Sequence, residues 1–524
     1  MKGLGARLRD RAGRLAPRLH EALQERLLGA APVSVLAAAP VAGRLGPSAF
    51  LAPSMAPGLA EGERESHRLG AFAHWAARHA LGETGAAERA VEILAGWLRA
   101  DRPGEGVAWD HPTDLTVRLV HLAAGFAWLG KAAPAELVAN AAGSAGWHVR
   151  HLTCRCPLDR DSGHLRVAHD VGLLVAGLTF PALPEARQVW SGASSRLGPG
   201  VDALTFPDGS DRSGAPSFLA QSLWLVAIAH AVARANGVAL PALAMSSWSR
   251  GVAFLDRLAN ENGTVPALGE APFGEILSLP GVPLPGSLRA LSNRWGFDSG
   301  DSATPDARSC WFLGRDPEAE PRAPGLRYWT AWSFPQDGIA VAVMTVRNEP
   351  LRVVVAAGSA SGGRFAHDAP LQLLVDVGAR PLLADPGSGR PRREDHDGLV
   401  VRGAVPARVQ LRVARVDGKK ARMEGSVSLG GGAVWCRDVL LNQQRVRVTD
   451  RLEGRGGTVD LRWTMGPDWS IEGEGGKYVL RGGPHTVAVD LPAALTWCLE
   501  GGNALVGTGE LAAGAEILCS FEVK

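Results

Sequence analysis

The sequence predicts an α+β protein whose helical N-terminal half forms an α/α toroid, or incomplete barrel, followed by a C-terminal antiparallel β-sandwich. Two patterns predict this order: apolar residues recur at helical spacing from residue 60 to about 295, and at alternate positions in short runs after residue 325. Residues 296–325, between them, are dense in Gly, Pro, Asp and Ser, which is typical of a linker. Since 524 residues exceed what one core usually organises, we expect two large domains.

These patterns divide the chain into four segments. They are an N-terminal amphipathic helix with its linker at 1–59, a toroid domain at 60–300, a linker at 301–325 and a β-sandwich domain at 326–524. The first segment places leucines at helical spacing among arginines, without the apolar stretch of a secretory signal peptide. We therefore expect it to dock on the protein's own helices, the alternative being a membrane surface, and we favour a cytoplasmic over a periplasmic location. The apolar run that follows is short and interrupted by prolines, so we expect no transmembrane segment.

The prediction of a helical N-terminal half is based on five runs with helical periodicity, which are separated by segments rich in Pro and Gly. The runs are HRLGAFAHWAARHALG, AERAVEILAGWLRA, DLTVRLVHLAAGFAWLG, HLRVAHDVGLLVAGLTF and FLAQSLWLVAIAHAVARANG. Short joints favour antiparallel neighbours, and successive pairs of this kind close into a toroid.

The prediction of a C-terminal β half is based on nine short runs rich in β-branched residues and separated by glycine turns. The runs are GIAVAVMTVR, LRVVVAAG, LQLLVDV, RVQLRVARVDG, RMEGSVSL, AVWCRDVLLN, QRVRVTDRLEG, TVDLRWTM and HTVAVDL. Many short strands at this spacing indicate a β-sandwich or stacked antiparallel sheets.

The amino-acid composition indicates a packed globular protein and does not favour nucleic-acid binding. The content of hydrophobic residues is 46% and that of charged residues 21%, as in packed globular proteins, and the net charge of +2 gives no reason to expect a nucleic-acid partner. Six cysteines are scattered without the spacing of zinc or redox loops, so we interpret most of them as buried thiols.

One candidate metal site lies in the β half. His367 precedes a predicted strand, Asp385 begins a DPG turn after it, and His396 precedes the next strand. Two imidazoles and a carboxylate are suitable ligands for a divalent ion such as zinc. The alternative is that Asp385 only caps the turn and that His396 is solvated among charged neighbours.

The segments around these three residues read GGRFAHDA, RPLLADPG and HDGLVVRG. They resemble the C-terminal domain of heparinase II/III-like polysaccharide lyases, and the helical segments DSGHLRVAHDVGLLVAGLTFPALPEA and LTFPDGSDRSGAPSFLAQSLWLV are similar to the same family. The resemblance implies a structural divalent metal, zinc, held by His367, Asp385 and His396. It also implies an acidic polysaccharide as the partner. Phe365 and Ala369 depart from the family pattern, which often has a histidine and an aspartate there.

The resemblance further implies a catalytic cleft in the helical half, in which an asparagine, a tyrosine and histidines promote β-elimination. This chain has Gly163, Phe218 and Leu219 at three of those positions and retains His164, which is our candidate catalytic residue. Because glycine, phenylalanine and leucine cannot exchange a proton, other polar groups would have to act in their place.

Arginines near the predicted cleft and metal loop are candidates for substrate binding, since guanidinium pairs well with carboxylate and sulfate. We select Arg118, which matches a family arginine, together with Arg212, Arg364 and Arg392. The alternative is a solvated charged surface.

We expect three further polar residues to have structural roles only. We expect His169 and His230, inside apolar helices, to be satisfied core residues, and Asp208 to shape a PDG turn.

The sequence leaves several functions open. The first is a heparinase II/III-like lyase that cleaves a uronic-acid-containing acidic polysaccharide by β-elimination. The second is a member that has lost catalysis and serves as a polysaccharide-binding or exopolysaccharide-synthesis accessory. Polar groups around Gly163, Phe218 and Leu219 would favour the first, and an apolar patch there the second. A third, a glycoside hydrolase, needs two facing carboxylates, and the sequence offers Asp208, Asp211, Glu270 and Glu275 without indicating which of them would pair.

Overall fold

The computed structural model describes most of the chain from residue 68 onward. The described residues are 68–101, 103, 109, 111–154, 163–184, 186–270, 276–277, 284–295, 329–358, 369–385, 398–402, 406–417 and 420–524. The N-terminal segment 1–59 and the linker 301–325 lie outside them.

The described part of the N-terminal half is helical. In chain order its α-helices are α1 Gly70–Ala80, α2 Ala86–Ala100, α3 Pro112–Leu129, α4 Ala135–Cys154, α5 Gly163–Thr179, α6 Ala186–Asp202, α7 Pro216–Ala235, α8 Ala242–Leu258 and α9 Leu284–Arg294. All five helical runs predicted from the sequence are confirmed, as α1, α2, α3, α5 and α7.

The helices form an inner and an outer layer. Helices α1, α3, α5 and α7 contact one another in that order, while α2, α4, α6 and α8 pack on their outside. Helix α3 is buried along almost its whole surface, and α5 and α7 nearly so. A helix covered on two sides is apolar over most of its surface, which explains why these three runs are the most hydrophobic of the set. The layers are those of an α/α toroid, so the predicted fold class is confirmed in this half.

Glycines allow the inner helices to approach closely. A Cβ added at Gly125 of α3 would lie 2.2 Å from the ring of Phe72 on α1, and one at Gly172 of α5 would lie 2.4 Å from Oγ1 of Thr116 on α3. The Thr116 hydroxyl donates a hydrogen bond of 2.7 Å to the carbonyl of Ala168 on α5. The inner ring is therefore fixed by close packing and by a buried hydrogen bond between helices.

The C-terminal half consists of antiparallel strands. They are β1 Trp329–Phe334, β2 Ile339–Val346, β3 Glu349–Ala356, β4 Gln372–Val377, β5 Arg380–Leu383, β6 Gly398–Val401, β7 Pro406–Asp417, β8 Lys420–Leu429, β9 Val434–Asn442, β10 Arg445–Glu453, β11 Gly457–Thr464, β12 Ser470–Glu474, β13 Lys477–Gly482, β14 His485–Asp490, β15 Thr496–Glu500, β16 Ala504–Leu511 and β17 Glu516–Val523. Each of the nine predicted runs forms a strand.

The strands form three sheets in the described part of the chain. Their orders are β1-β2-β3-β4-β5, then β12-β13-β14-β17-β10-β9-β8-β7, then β15-β16-β11-β6. Residues of all three sheets share one apolar core, so the predicted β-sandwich with stacked antiparallel sheets is confirmed.

The five-stranded sheet joins the two halves. In β2, Val341 and Val343 pack with the helical core, while the alternate residues Ala342 and Met344 pack with the β core. Because both faces are covered, β2 reads as a continuous apolar run rather than an alternating one. Phe334 of β1 meets Phe254 of α8 edge-on, with ring centroids 4.8 Å apart. The helical and β halves therefore share an apolar interface.

A buried ion pair lies inside the β core. The Arg437 guanidinium donates two hydrogen bonds of 2.8 Å to Asp450 and one of 2.7 Å to the Leu371 carbonyl, and the Trp435 indole donates to the same carboxylate at 2.7 Å. The Arg437 guanidinium also lies over the Trp435 and Trp463 rings. These contacts satisfy a charge pair that has almost no solvent exposure.

Among the described residues, one helix is long and apolar enough to cross a membrane by composition. It is α7, and 78% of its apolar window is buried inside the protein. Its burial in the inner ring accounts for its apolar character.

Candidate functional site

His164 lies in the first turn of α5, where the inner ring faces the loop that precedes α7. Its Nδ1 is 2.8 Å from the hydroxyl of Ser222, and its Nε2 is 4.0 Å from Oδ1 of Asp211. The imidazole lies beside the Phe218 ring, with centroids 5.7 Å apart. The side chain is 10% exposed. His164 thus retains a narrow path to solvent while its ring is held by polar neighbours.

The loop that carries Asp211 is a tight hairpin whose shape follows from its sequence. Phe206 and Ser210 pair through a hydrogen bond of 2.8 Å, and Asp208 accepts hydrogen bonds from the amide and the hydroxyl of Ser210. Gly209 has φ +87°, and a Cβ there would lie 2.3 Å from the carbonyl oxygen of Arg250, so the turn requires glycine. The prediction that Asp208 shapes the PDG turn is confirmed.

The Asp211 carboxylate is fully buried and held by four contacts. It accepts hydrogen bonds from the amide of Ser213 at 3.1 Å, the hydroxyl of Ser213 at 2.6 Å and the amide of Ala215 at 2.8 Å, and it faces His164. Ala215 immediately precedes α7, so the carboxylate lies at the positive end of that helix. These contacts fix one oxygen of Asp211 in front of the imidazole.

Burial shifts the pKa values of both groups. It lowers the pKa of His164 to about 4. Burial raises the pKa of Asp211 to about 6, although the hydrogen bonds from Ser213 and Ala215 act in the opposite direction. At neutral pH the site therefore contains a neutral imidazole beside an ionised carboxylate. This pair can accept a proton on the imidazole and stabilise the resulting cation.

The three positions where the resemblance implies catalytic groups are apolar. Phe218 lies against His164, Leu219 is fully buried in the helical core, and a Cβ on Gly163 would lie 3.0 Å from the Leu204 side chain. An asparagine at position 163 would need Leu204 to move, and a side chain at position 219 points into the core. The polar groups beside His164 are instead Asp211 and Ser222.

Ser222, His164 and Asp211 have the composition of a hydrolytic triad, but burial argues against a nucleophilic serine. Ser222 lies inside α7 with 4% exposure, so a substrate carbonyl has no path to its hydroxyl. We interpret Ser222 as a hydrogen-bond partner that orients the imidazole. Its position one helical turn after Phe218 was the signal in the sequence that would have indicated this contact.

The four candidate arginines have different surroundings. Arg212 is exposed, donates to the Thr205 carbonyl at 2.9 Å and lies over the Phe206 ring. Arg118 is fully buried, with Nη1 3.2 Å from Nε2 of His148. Burial lowers the pKa of Arg118 to about 10. A ligand can reach Arg212 in this arrangement but not Arg118. Arg364 and Arg392 lie outside the described residues.

The two histidines expected to be core residues differ in exposure. His169 is buried, with Nδ1 3.1 Å from Asp170 and Nε2 3.0 Å from the Leu152 carbonyl, which confirms its satisfied core position. His230 is half-buried, and its ring lies 4.7 Å from that of Trp295. Burial lowers the pKa of His230 to about 4.

Of the predicted metal ligands, only Asp385 belongs to the described residues. It follows β5 and accepts a hydrogen bond from the side-chain amide of Gln372 on β4. His367 and His396 lie outside the described part of the chain. Within that part, no group of three or more His, Cys, Asp or Glu side chains is arranged to hold a metal. The metal site stays a prediction.

The fold is similar to those of several solved polysaccharide lyases. Heparinase III is similar over 88% of this chain and 78% of its own, with a TM-score of 0.66 and 14% identity. A heparan sulfate lyase from Pedobacter heparinus matches over 88% and 77%, with a TM-score of 0.58 and 14% identity. A chondroitin AC lyase from Streptomyces coelicolor A3, solved with chondroitin sulphate, matches over 94% and 78%, with a TM-score of 0.51 and 14% identity.

These likenesses show that the chain has the fold of the heparin and chondroitin lyases. No protein-family model matches the sequence, and no curated protein matches it significantly. At such low identity the comparison establishes the architecture, and function must be argued from the site.

Proposed function

We propose that this chain is a polysaccharide lyase that cleaves a uronic-acid-containing acidic polysaccharide by β-elimination, with His164 as the base. The observation that carries the proposal is the pairing of a neutral, partly exposed imidazole with the fixed carboxylate of Asp211. The lyase fold supports the same class of substrate, since the similar structures are named for enzymes that act on heparan and chondroitin chains.

The elimination can proceed through one imidazole. We assign the Nδ1 proton to the hydrogen bond with Ser222, which leaves the lone pair on Nε2 to accept the C5 proton of the uronate. The electrons of the C5–H bond form the C4–C5 double bond as the C4–O4 bond breaks. The imidazolium then returns the proton to the departing O4. A single group serving as base and then acid explains how the reaction proceeds with phenylalanine at position 218.

The neighbours of His164 divide the remaining tasks. Asp211 stabilises the imidazolium, because its carboxylate is ionised above about pH 6 and lies 4.0 Å from Nε2. Arg212 offers an exposed guanidinium on the same loop for the uronate carboxylate, whose neutralisation acidifies the C5 proton. We propose that Arg364 and Arg392 also bind the acidic polymer, whereas the buried Arg118 contacts His148 on α4 and lies over the Trp97 ring on α2.

A second function is favoured by the apolar character of positions 218 and 219. Phe218 contributes no proton donor beside His164, and Leu219 is buried. A member that binds an acidic polysaccharide without cleaving it, as an accessory in exopolysaccharide synthesis, would keep the fold and the arginines under this arrangement.

A structural divalent metal accompanies either function. We infer that Asp385, His367 and His396 hold zinc in the β half, since two imidazoles and a carboxylate suit this ion. The position of Asp385 at the end of β5 and its contact with Gln372 suit a ligand carboxylate whose second oxygen is oriented by a hydrogen bond. Purified protein should contain about one zinc per chain, and Asp385→Ala should lose it, while Asp376→Ala should retain it. Equal metal content in both variants would contradict the assignment.

The lyase proposal is tested by ultraviolet absorbance of the unsaturated uronate. Wild-type protein is incubated with glycosaminoglycans, alginate and bacterial exopolysaccharides, beside His164→Gln and the control His79→Gln, which alters a half-buried histidine on α1. We expect absorbance to rise on at least one polymer, to fall by a factor of about 10² or more in His164→Gln, and to be unchanged in His79→Gln. Binding of a polymer by wild type and His164→Gln alike, with no absorbance from either, would support the accessory function.

A further inference from the structure

Asp337 is an unusual residue for its place in the chain. It lies in the tight turn between β1 and β2, ahead of Gly338, whose φ is +69°. Aspartates in hairpin turns usually face solvent, yet Asp337 is only 5% exposed. The loop of the helical half that carries Asp208 and Asp211 lies against it. Although Pro335 and Gln336 of the same turn are exposed, Asp337 is therefore buried against the loop that holds the partner of His164.

The groups around Asp337 are acidic. The backbone amide of Asp211 donates a hydrogen bond to its carboxyl group, and the charges of Asp211 and Asp208 act on it. No ion pair of Asp337 with a cation occurs among the residues that the structure describes, and Oδ2 of Asp337 has no hydrogen-bond partner there. Burial, followed by repulsion from Asp211, raises the pKa of Asp337 well above its usual range.

A carboxyl group in these surroundings is more stable with its proton than without it. As a neutral acid, Asp337 keeps one oxygen as the acceptor for the Asp211 amide and gains an O–H donor on the other. The protonated form also removes a third negative charge from the neighbourhood of Asp211. The backbone of Asp211 is thereby held from the β half, while its side chain is held by Ser213 and Ala215.

We propose that Asp337 is a positioning residue of the site, which ties the β1–β2 turn to the Asp211 loop and so fixes the carboxylate that faces His164. Within the described part of the chain, Asp208 and Asp211 of the loop act on Asp337, and His164 of α5 faces Asp211. A catalytic role of Asp337 rests on the proposed function, because it requires His164 to act as the base. The link between Asp337 and the Asp211 loop does not depend on any substrate.

The test uses two substitutions with opposite expectations. Asp337→Asn keeps the size and an N–H donor of the neutral acid, whereas Asp337→Ala removes both the donor and the acceptor. Asp468→Asn, in an exposed turn of the β half, is the control. The readout is the titration of the His164 imidazole by NMR of histidine-labelled full-length protein without substrate, with the resonance assigned from His164→Gln.

In wild type, Asp337→Asn and Asp468→Asn, we expect the His164 imidazole to titrate at the same pH. In Asp337→Ala the loosened loop admits water, and we expect the midpoint to move toward the unperturbed value near 6.5 by about one pH unit. An unchanged titration in Asp337→Ala, with the fold intact by circular dichroism, would overturn the inference, and so would a shift in Asp337→Asn as large as that in Asp337→Ala.

The experiment separates this inference from the proposed function. If no polymer is cleaved but the titration shifts as expected, Asp337 positions the loop and the lyase proposal fails alone. If cleavage occurs and the titration does not respond to either substitution, the lyase proposal stands and the role of Asp337 is rejected.

Discussion

At the scale of single residues, the site depends on groups whose charges are controlled by burial. His164 and Asp211 were both visible in the sequence, the first through the resemblance to lyases and the second as one of several carboxylates near the predicted cleft. Their pairing was not predictable, because it depends on a hairpin turn that brings residue 211 back to the start of α5. Ser222 could have been found from its position one helical turn after Phe218, whereas Asp337 lies far along the chain from His164 and meets the site only through packing.

The buried pair of Arg437 and Asp450 gives a prediction at this scale. Asp450→Asn leaves the Arg437 guanidinium uncompensated in the β core, and we expect the free energy of unfolding to fall by about 3 to 5 kcal/mol. Asp460→Asn weakens the pair of Asp460 with the exposed Arg402, and we expect a much smaller loss because solvent screens this pair. Urea unfolding followed by tryptophan fluorescence measures both. Equal losses of unfolding free energy in the two variants would contradict the larger contribution predicted for the buried pair.

At the scale of secondary-structure elements, the inner helices depend on close contacts at glycine. We expect Gly125→Ala to destabilise the protein by about 1 to 3 kcal/mol, because the new Cβ would overlap the Phe72 ring and α1 would have to move. Gly96→Ala on α2 is the matched control, since nothing lies within 4 Å of the added Cβ. The better helix propensity of alanine should make this second variant more stable by up to about 1 kcal/mol. Thermal unfolding of both variants checks the prediction, and a Gly125→Ala protein as stable as wild type would contradict the packing described for the inner ring.

The helices and strands that could be predicted from the sequence differ from the others in hydrophobicity and length. The runs that became α3, α5 and α7 are strongly apolar because those helices are covered on both sides. The outer helices α4, α6 and α8 were missed, since their sequences mix Ala, Ser and Gly, and α6 contains Pro199. Among the strands, short edge elements such as β12, which contains Gly473, give too few residues for alternation to be recognised. Tertiary packing determined these elements more than local preference did.

At the scale of the whole molecule, buried histidines couple stability to pH. Burial lowers the pKa of His121 to about 4, against 6.5 in the unfolded chain, even though its hydrogen bond to the Arg68 carbonyl favours the charged form. The unfolded chain therefore binds a proton that the folded chain does not. The stability from this difference is complete above pH 6.5 and is lost as the pH falls toward 4.

The measurement compares wild type with His121→Asn, in which an amide can still donate to the Arg68 carbonyl. We expect the free energy of unfolding of wild type to decrease more steeply between about pH 6 and 4.5, by about 1.4 kcal/mol per pH unit. The raised pKa values of Asp211 and Asp376, both about 6, act in the opposite direction but are common to the two proteins. Parallel stability curves would show that His121 titrates normally in the folded state.

The whole molecule also determines what the site can do. The toroid presents the start of α5 and the loop before α7, and the five-stranded sheet places Asp337 of its β1–β2 turn against the same loop. The fold was predictable from the sequence because two different periodicities mark the two halves. The metal loops and the arginines at 364 and 392 remain predictions, since His367, His396 and these arginines lie outside the described residues.

The most direct test of the central claim is mass spectrometry of the oligosaccharides released from an acidic polysaccharide by the full-length protein. β-Elimination through His164 predicts products that carry an unsaturated uronate at one end and are lighter by one water than hydrolysis products of the same length. Their release should be lost in His164→Gln. Products that have gained water would contradict the proposed reaction and favour a glycoside hydrolase, and unsaturated products formed equally by His164→Gln would contradict the role of this imidazole.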